Sequence, residues 1–208
     1  MSMKKFAVTP GFEVGGSLFK PDQLALLGSI VGKNAKIELT SFQQLYVEMN
    51  EDQVEEVTKK LKEAGLQIYP VGPYVKSLKT CSFCQGAEEE GLHVAAALNK
   101  AIAGMEAPSA LRVGYTGCTN ACGEPLLQDI GVVKNKEVFD VYVGGEAKTL
   151  NAHTGQLLAI GVPEEKLIDV VKELILYFQQ HGKKREKFSR FVNRVGIDHL
   201  KKIIHSVS

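Results

Sequence analysis

GYTGCTNACGEP, residues 114–125, holds two of the four cysteines of the chain, Cys118 and Cys122. Both stand in a loop marked by glycine and threonine, not in the apolar run that houses an inert structural thiol. Leu111 to Tyr115 reads as a strand that delivers the chain to Cys118. The other two cysteines, Cys81 and Cys84, have the x-x spacing that lets two thiolates reach one metal centre. They lead straight into a helix expected over residues 86–103. Each pair therefore sits where a loop meets regular structure, and backbone amides there can point at a bound anionic group. Four thiolates are the usual complement of a [4Fe-4S] centre. A structural zinc site uses four as well, but zinc ribbons favour two tight pairs roughly 15–20 residues apart. Here 33 residues separate the pairs. A thioredoxin-type redox pair at Cys81 and Cys84 would leave Cys118 and Cys122 unexplained.

Bulk properties narrow the function classes. The chain has 208 residues, 25 basic and 24 acidic side chains, and a formal charge of +1. That balance gives no electrostatic case for nucleic acid or an anionic membrane as the main partner. No window approaches the apolar length of a membrane span, and the start, MSMKKFAVTPGF, has no apolar stretch suited to a signal peptide. A cytoplasmic setting is the expectation, and four cysteines in a reducing compartment are ligands or redox groups before they are disulfides.

The chain divides into two layouts. Strand-like runs at Lys4 to Val8, Lys36 to Leu39, Gln44 to Met49 and Gln67 to Tyr69 alternate with helical patterns. One helix opens at Pro21 and runs to about Val31; a second follows Asn50 and ends before Gly65. This β-α-β-β-α-β order is that of a ferredoxin-like α+β unit over residues 1–75. After a Gly/Pro-containing link, residues 76–208 carry the cysteines, strands at Ile130 to Val133 and Val138 to Val143, and a helix from about Glu164 to Gln179. Two short terminal helices are expected over 184–194 and 198–204. Glu88 to Glu90 is read as the solvated first turn of the helix after Cys84.

The run Gly117-Cys118-Thr119-Asn120-Ala121-Cys122-Gly123 resembles the G-C-x-N-x-C-G motif of nitrite and sulfite reductases. Asp129-Ile130-Gly131 and the segment ending Val143-Gly144-Gly145 are similar too, as are Arg185-Glu186-Lys187-Phe188 and Arg194-Val195-Gly196. In the first third, Gly15-Gly16, Pro21 to Leu24 and Leu39-Thr40 to Gln43 fall in the family's order. The resemblance thus covers nearly the whole chain. It implies an α+β fold in which a ferredoxin-like half-domain packs on a siroheme and [4Fe-4S] binding domain.

The same resemblance implies the site. Cys81, Cys84, Cys118 and Cys122 would be the cluster ligands, with Cys122 also the axial, bridging ligand of siroheme iron. Siroheme bears eight carboxylates, so its pocket should offer amides and cations; Asn120, Gly144, Gly145, Gln43 and Arg112 are the candidates. The chemistry implied is multi-electron reduction of a small oxyanion, sulfite first and nitrite second, with electrons from a ferredoxin or a partner flavoprotein. An electron-transfer module with the cluster and without oxyanion reduction is the alternative. A single repeat implies a homodimer or a subunit of a larger complex. Two departures accompany the match. Cys81 and Cys84 are closer than the family's first pair commonly is, and Phe42 occupies the place of an arginine that binds the anionic substrate. Residues 9–14 also lack a cation where the family often has one. Lys183, Lys184, Arg185, Lys187, Arg190 and Arg194 are possible replacements, against the plainer reading of a solvated basic helix face. Gly144-Gly145 reads equally as a strand-ending turn.

Overall fold

One alternating central strand and two amphipathic helices organise the first half. The computed structural model describes residues 2–205; residue 1 and residues 206–208, the outer ends of the two expected halves, lie outside them. Strands β1 (Met3–Thr9), β2 (Lys36–Leu39), β3 (Leu45–Asn50) and β4 (Gln67–Pro70) form an antiparallel sheet of order β2-β3-β1-β4. Leu45, Val47 and Met49 of β3 point inward at every second position, as a half-buried strand requires. Helices α1 (Pro21–Val31) and α2 (Glu51–Glu63) cover that face with Leu27, Val31, Val54, Val57 and Leu61. Helical spacing puts the three α2 residues on one stripe and leaves the charged positions to solvent. Asn50 stands at the N-cap position of α2 as expected, but its side chain makes no capping hydrogen bond.

The second half has its own sheet and core. β5 (Lys79–Thr80), β6 (Val113–Thr116) and β7 (Ile130–Asn135) run parallel, and β8 (Val138–Val143) and β9 (Gln156–Pro163) continue antiparallel. Helices α3 (Leu92–Ile102) and α4 (Glu164–His181) bury Val94, Leu98, Val170, Leu174 and Phe178 in its core. Val75 already belongs to this core, while the first sheet ends at Pro70. Strand β9 has no counterpart in the sequence reading: it is an edge strand with half of its residues exposed and without a clean alternation. The helix expected from Gly86 starts only at Leu92, because Gly91 adopts a left-handed φ of 66° and breaks the run. Glu88 to Glu90 therefore lie in turns before the helix, and Glu90 is buried instead of solvated.

Two adjacent glutamines join the halves. Gln43 donates from Nε2 to the Thr80 carbonyl and accepts from the Thr80 amide, each at 3.2 Å. Gln44 Nε2 donates to the Ser77 carbonyl at 3.1 Å. The segment leading to Cys81 is thus held like a strand against the first half.

Helices α5 (Phe188–Val195) and α6 (Ile197–Ile204) close the fold. The rings of Phe178, Phe188 and Phe191 pack edge-on and tilted, with centroids 4.9–5.8 Å apart. Beside them Arg194 clamps Glu186 through Nε at 2.8 Å and through a terminal nitrogen at 2.7 Å. Those hydrogen bonds, with the Lys183 amide, pull the Glu186 carboxyl down from 4.5 to about 2 against the opposing effect of burial. A carboxyl depressed in the folded state contributes stability above its unfolded pKa and loses it as pH falls through the folded one. Thermal melts should therefore show wild-type stability dropping between pH 4.5 and about 2 more steeply than that of Glu186→Gln, with the variant already less stable at pH 7.

Candidate metal centre

The two cysteine loops meet because strand β6 lies beside β5. Parallel pairing of Thr80 with Tyr115 brings the end of one strand to the end of the other, and Cys81 and Cys118 follow directly. The Cys81 amide donates to the Tyr115 carbonyl at 3.2 Å. In return the Gly117 amide donates to Cys81 Sγ at 3.3 Å, a neutral N–H aimed at a ligand sulfur. Two glycines permit this approach. A Cβ on Gly123 would stand 2.5 Å from the Tyr115 oxygen and 3.0 Å from the Cys81 nitrogen. A Cβ on Gly117 would run into the Glu90 backbone, 2.6 Å from its carbonyl oxygen. Any side chain there forces the loops apart.

Between Cys81 and Cys84 the chain is pinned by Phe83, fully buried in a left-handed conformation (φ 51°) and stacked on Tyr115 with centroids 6.1 Å apart. Between Cys118 and Cys122, Ala121 is also left-handed (φ 56°). Both loops thus hold a non-glycine residue in a sparsely populated region, strain that persists where surrounding packing imposes it and that is concentrated at functional sites.

All four cysteines are free thiols: Cys81 buried, Cys118 half-buried, Cys84 and Cys122 exposed. Cys84 is near enough to Cys118 and Cys122 for their charges to weigh on its thiol. Its strongest neighbour is Glu90, whose Oε1 stands 3.9 Å from Cys84 Sγ and whose charge, with burial and the other thiols, lifts the Cys84 thiol above its usual range. Tyr115 holds the Glu90 turn by donating to the Glu90 or Gly91 carbonyl at 2.9 and 3.1 Å. Among the described residues no three His, Cys, Asp or Glu side chains converge closely enough to hold one metal ion. Thiolates of a four-iron cluster each bind a different iron and stand farther apart than around one zinc. The donor set, its free thiols and the amide on Cys81 fit a [4Fe-4S] cluster.

The other sequence-derived candidates fall into two groups. Gln43 and Asn120 lie at the cysteine loops, Gln43 as the clamp on Thr80 and Asn120 exposed between Cys118 and Cys122. Arg112, Gly144 and Gly145 lie at the opposite end of β6, around Asp129. Gly144 donates its amide to the Asp129 carbonyl at 2.8 Å, and a Cβ on Gly145 would meet the carbonyls of Leu126 and Gln128. Arg112 donates from its amide and from Nε to Asp129 Oδ2 at 2.8 and 2.9 Å, and a terminal nitrogen reaches Glu146 at 3.6 Å. Burial would raise the Glu146 carboxyl, but Lys187, the Lys148 amide and Arg112 together hold it below the usual range. Two carboxylates thus already answer the Arg112 charge.

This end opens onto a cavity of about 1260 Å³ between the halves, with Phe42, Tyr46, Lys76, Arg112, Lys148 and Arg185 in its wall. Phe42 sits where an arginine was expected, yet its ring draws cations: Lys148 Nζ at 4.8 Å and the Arg112 guanidinium at 5.9 Å from the centroid. Lys184, Arg185 and Lys187, which the sequence offered as replacement cations, line this cavity. Lys76 and Lys148 were missed altogether. Lys76 stands five residues before Cys81, and no motif marked it. Among the described residues no helix is long and apolar enough to cross a membrane.

The fold joins a ferredoxin-like sheet to a mixed sheet whose two adjoining loops carry four free thiols, the layout of a cluster-binding domain. The family described as the nitrite and sulphite reductase 4Fe-4S domain matches residues 75–207, and the chain belongs to it. A cobalt-factor III methyltransferase of Priestia megaterium is 31% identical over 93% of this chain and 35% of its own length. An assimilatory-type sulfite reductase of Nitratidesulfovibrio vulgaris is 25% identical over 96% of this chain and 92% of its own. The NADH nitrite reductase large subunit of Escherichia coli is 24% identical over 94% of the chain and 23% of its own length. The chain thus spans about a third of the methyltransferase and a quarter of the nitrite reductase subunit, but nearly all of the sulfite reductase. The crystal structure of dissimilatory sulfite reductase I shares the fold, with a TM-score of 0.74 over 96% of this chain and 69% of that one, at 13% identity.

Gly123→Ala tests the convergence of the loops. The added methyl should push Cys122 and Cys81 apart, so iron and sulfide per chain after anaerobic reconstitution should fall to less than half of wild type while the far-ultraviolet spectrum is retained.

Proposed function

We propose that the chain is a cytoplasmic redox protein in which Cys81, Cys84, Cys118 and Cys122 hold a [4Fe-4S] cluster and Cys122 also serves as the axial ligand of a siroheme. Its reaction is multi-electron reduction of a small oxyanion, sulfite before nitrite, with electrons from a ferredoxin or flavoprotein. The observation that carries the reading is the meeting of the two cysteine loops: one ligand, Cys81, is buried under an amide, and Cys122 is left exposed for a second partner. When bound, the two groups supply one-electron relay and multi-electron reduction.

The rest is the work of this chain. Gly117 and Gly123 keep the loops in contact, and Gln43 fixes the approach to Cys81. Lys148 and Arg112 bring positive charge to the face of Phe42, where an anionic group needs it. Near-complete coverage of a relative named as an assimilatory-type sulfite reductase supports this reading.

A second reading is supported by Phe42, which stands where an anion-binding arginine was expected, and by the two carboxylates that engage Arg112. In it the chain is an electron-transfer module with the cluster alone. The same stretch occurring inside a relative named as a methyltransferase supports that alternative.

An anaerobic visible spectrum with iron, zinc and sulfide analysis on one sample separates the readings. Siroheme bands with about five irons and four sulfides per chain are expected. A plain iron–sulfur absorption with four irons supports the module, and a colourless protein with zinc defeats both. Cys122→Ser is expected to change the spectra of both groups; a variant that keeps both at full occupancy with unchanged bands would show that Cys122 does not bridge them.

A further inference from the structure

Glu90 is 1% exposed, and its carboxyl group faces a cysteine instead of a cation. Oε1 stands 3.9 Å from Cys84 Sγ, and the buried Oε2 has no hydrogen-bond partner among the described residues. The ammonium that reaches this turn, that of Lys134, donates to the Glu89 carbonyl at 2.9 Å. The buried hydroxyls of Thr80 and Thr116, on the strands that lead into the two cysteine loops, make no hydrogen bond to Glu90 and have no partner themselves. A carboxylate that loses its water on burial ordinarily regains partners from a cation or from several donors. Glu90 has neither, and a metal ligand is its nearest polar neighbour.

The chain holds Glu90 in this place from three sides. Tyr115 donates its hydroxyl to the Glu90 carbonyl at 2.9 Å. A Cβ on Gly117 would stand 2.2 Å from the Glu90 Cβ, so only glycine lets the two backbones approach. Gly91, left-handed at φ 66°, turns the chain into α3 directly after it, and a Cβ there would meet the Tyr115 hydroxyl at 2.5 Å. Glu88 and Glu89 carry the same side chain and remain exposed. Burial of Glu90 is thus specific to one acid of the three.

We propose that Glu90, acting through Cys84, lowers the reduction potential of the iron–sulfur centre. Adding one electron to the centre adds one negative charge and moves no atom. A fixed carboxylate 3.9 Å from a ligand sulfur disfavours that charge, and little water is present to screen it. Net charge and hydrogen bonds at the sulfurs are the levers that set such potentials. The Gly117 amide on Cys81 works in the opposite sense, so the two thiolates of one loop are biased against each other. The inference rests on the cluster reading above and adds to it a residue from outside the cysteine set.

The test is anaerobic redox potentiometry of the full chain reconstituted with iron and sulfide, with dithionite as the source of electrons and electron paramagnetic resonance as the readout. Glu90→Gln keeps the shape and removes the charge. It should raise the equilibrium constant for reduction at least about tenfold, or about 59 mV for one electron, with the iron and sulfide content of the parent. Glu90→Asp keeps the charge and should stay within about threefold of the parent. Glu124→Gln removes an exposed acid, paired with Lys79, from the other cysteine loop and should stay within about twofold. An unchanged potential in Glu90→Gln overturns the proposal and leaves the cluster reading standing. An equal shift in Glu90→Asp or in Glu124→Gln overturns it too, since the effect would then belong to altered packing or to general acidity. Loss of more than half the iron in Glu90→Gln also overturns it, because the carboxylate would then serve assembly. A parent chain that takes up no iron–sulfur cluster removes the cluster reading and this inference together.

Discussion

The contact of Gly123 with the Thr80–Cys81 backbone is the constraint on which the site depends. It is a contact between two stretches more than thirty residues apart in sequence, made at the point where β5 and β6 end side by side. Parallel strands deliver successive loops to the same edge of a sheet, and that edge is where α/β folds place their ligands. Here the loops carry two thiols each. The buried stack of Phe83, Tyr115 and Phe139 lies beneath them. It keeps Cys81 inside the protein while Cys84 and Cys122 face out, so the floor of the site is rigid and its mouth is open.

Charge is arranged in two zones. Around the thiols the neighbours are acidic: Glu90 against Cys84, and Glu124 next to Gly123, paired with Lys79. At the far end of β6 positive charge gathers around the cavity, part of it neutralised by Asp129 and Glu146 and part of it free. The separation follows from topology. Arg112 precedes β6 and Cys118 follows it, so the length of the strand lies between the basic wall and the cluster loops. A flat ligand that touched both zones would have to lie along that strand.

Phe42 has two sides, one local and one tertiary. As one residue it removes a cation. In the folded chain Lys148 stands over its ring, through the attraction of a cation for an aromatic face, and Arg112, held by Asp129 and Glu146, lies at its edge of reach. Gln43, next to it, was expected at a cofactor; its amide is spent on the Thr80 backbone, which makes it a support for the first cysteine.

Local chemistry made much of the molecule legible from sequence. Strict alternation in β3, the apolar stripe of α2, the helix start at Pro21 and the helix stop at Gly65 mark the ferredoxin-like half, and paired cysteines flanked by glycine mark the site, because these signals act between residues a few positions apart. Other features arise only from packing across distance. Glu90 looked like one of three solvated acids, and it is buried because Gly91 breaks the helix and Tyr115 draws the turn inward. Lys76 looked like an ordinary lysine of a link, and it becomes an unmatched buried charge only because Tyr46, from the other half, closes over it. The sequence determined which residues could bind a cluster; the tertiary structure decided which charges share its neighbourhood, since burial and electrostatics depend on neighbours that the order of residues does not place.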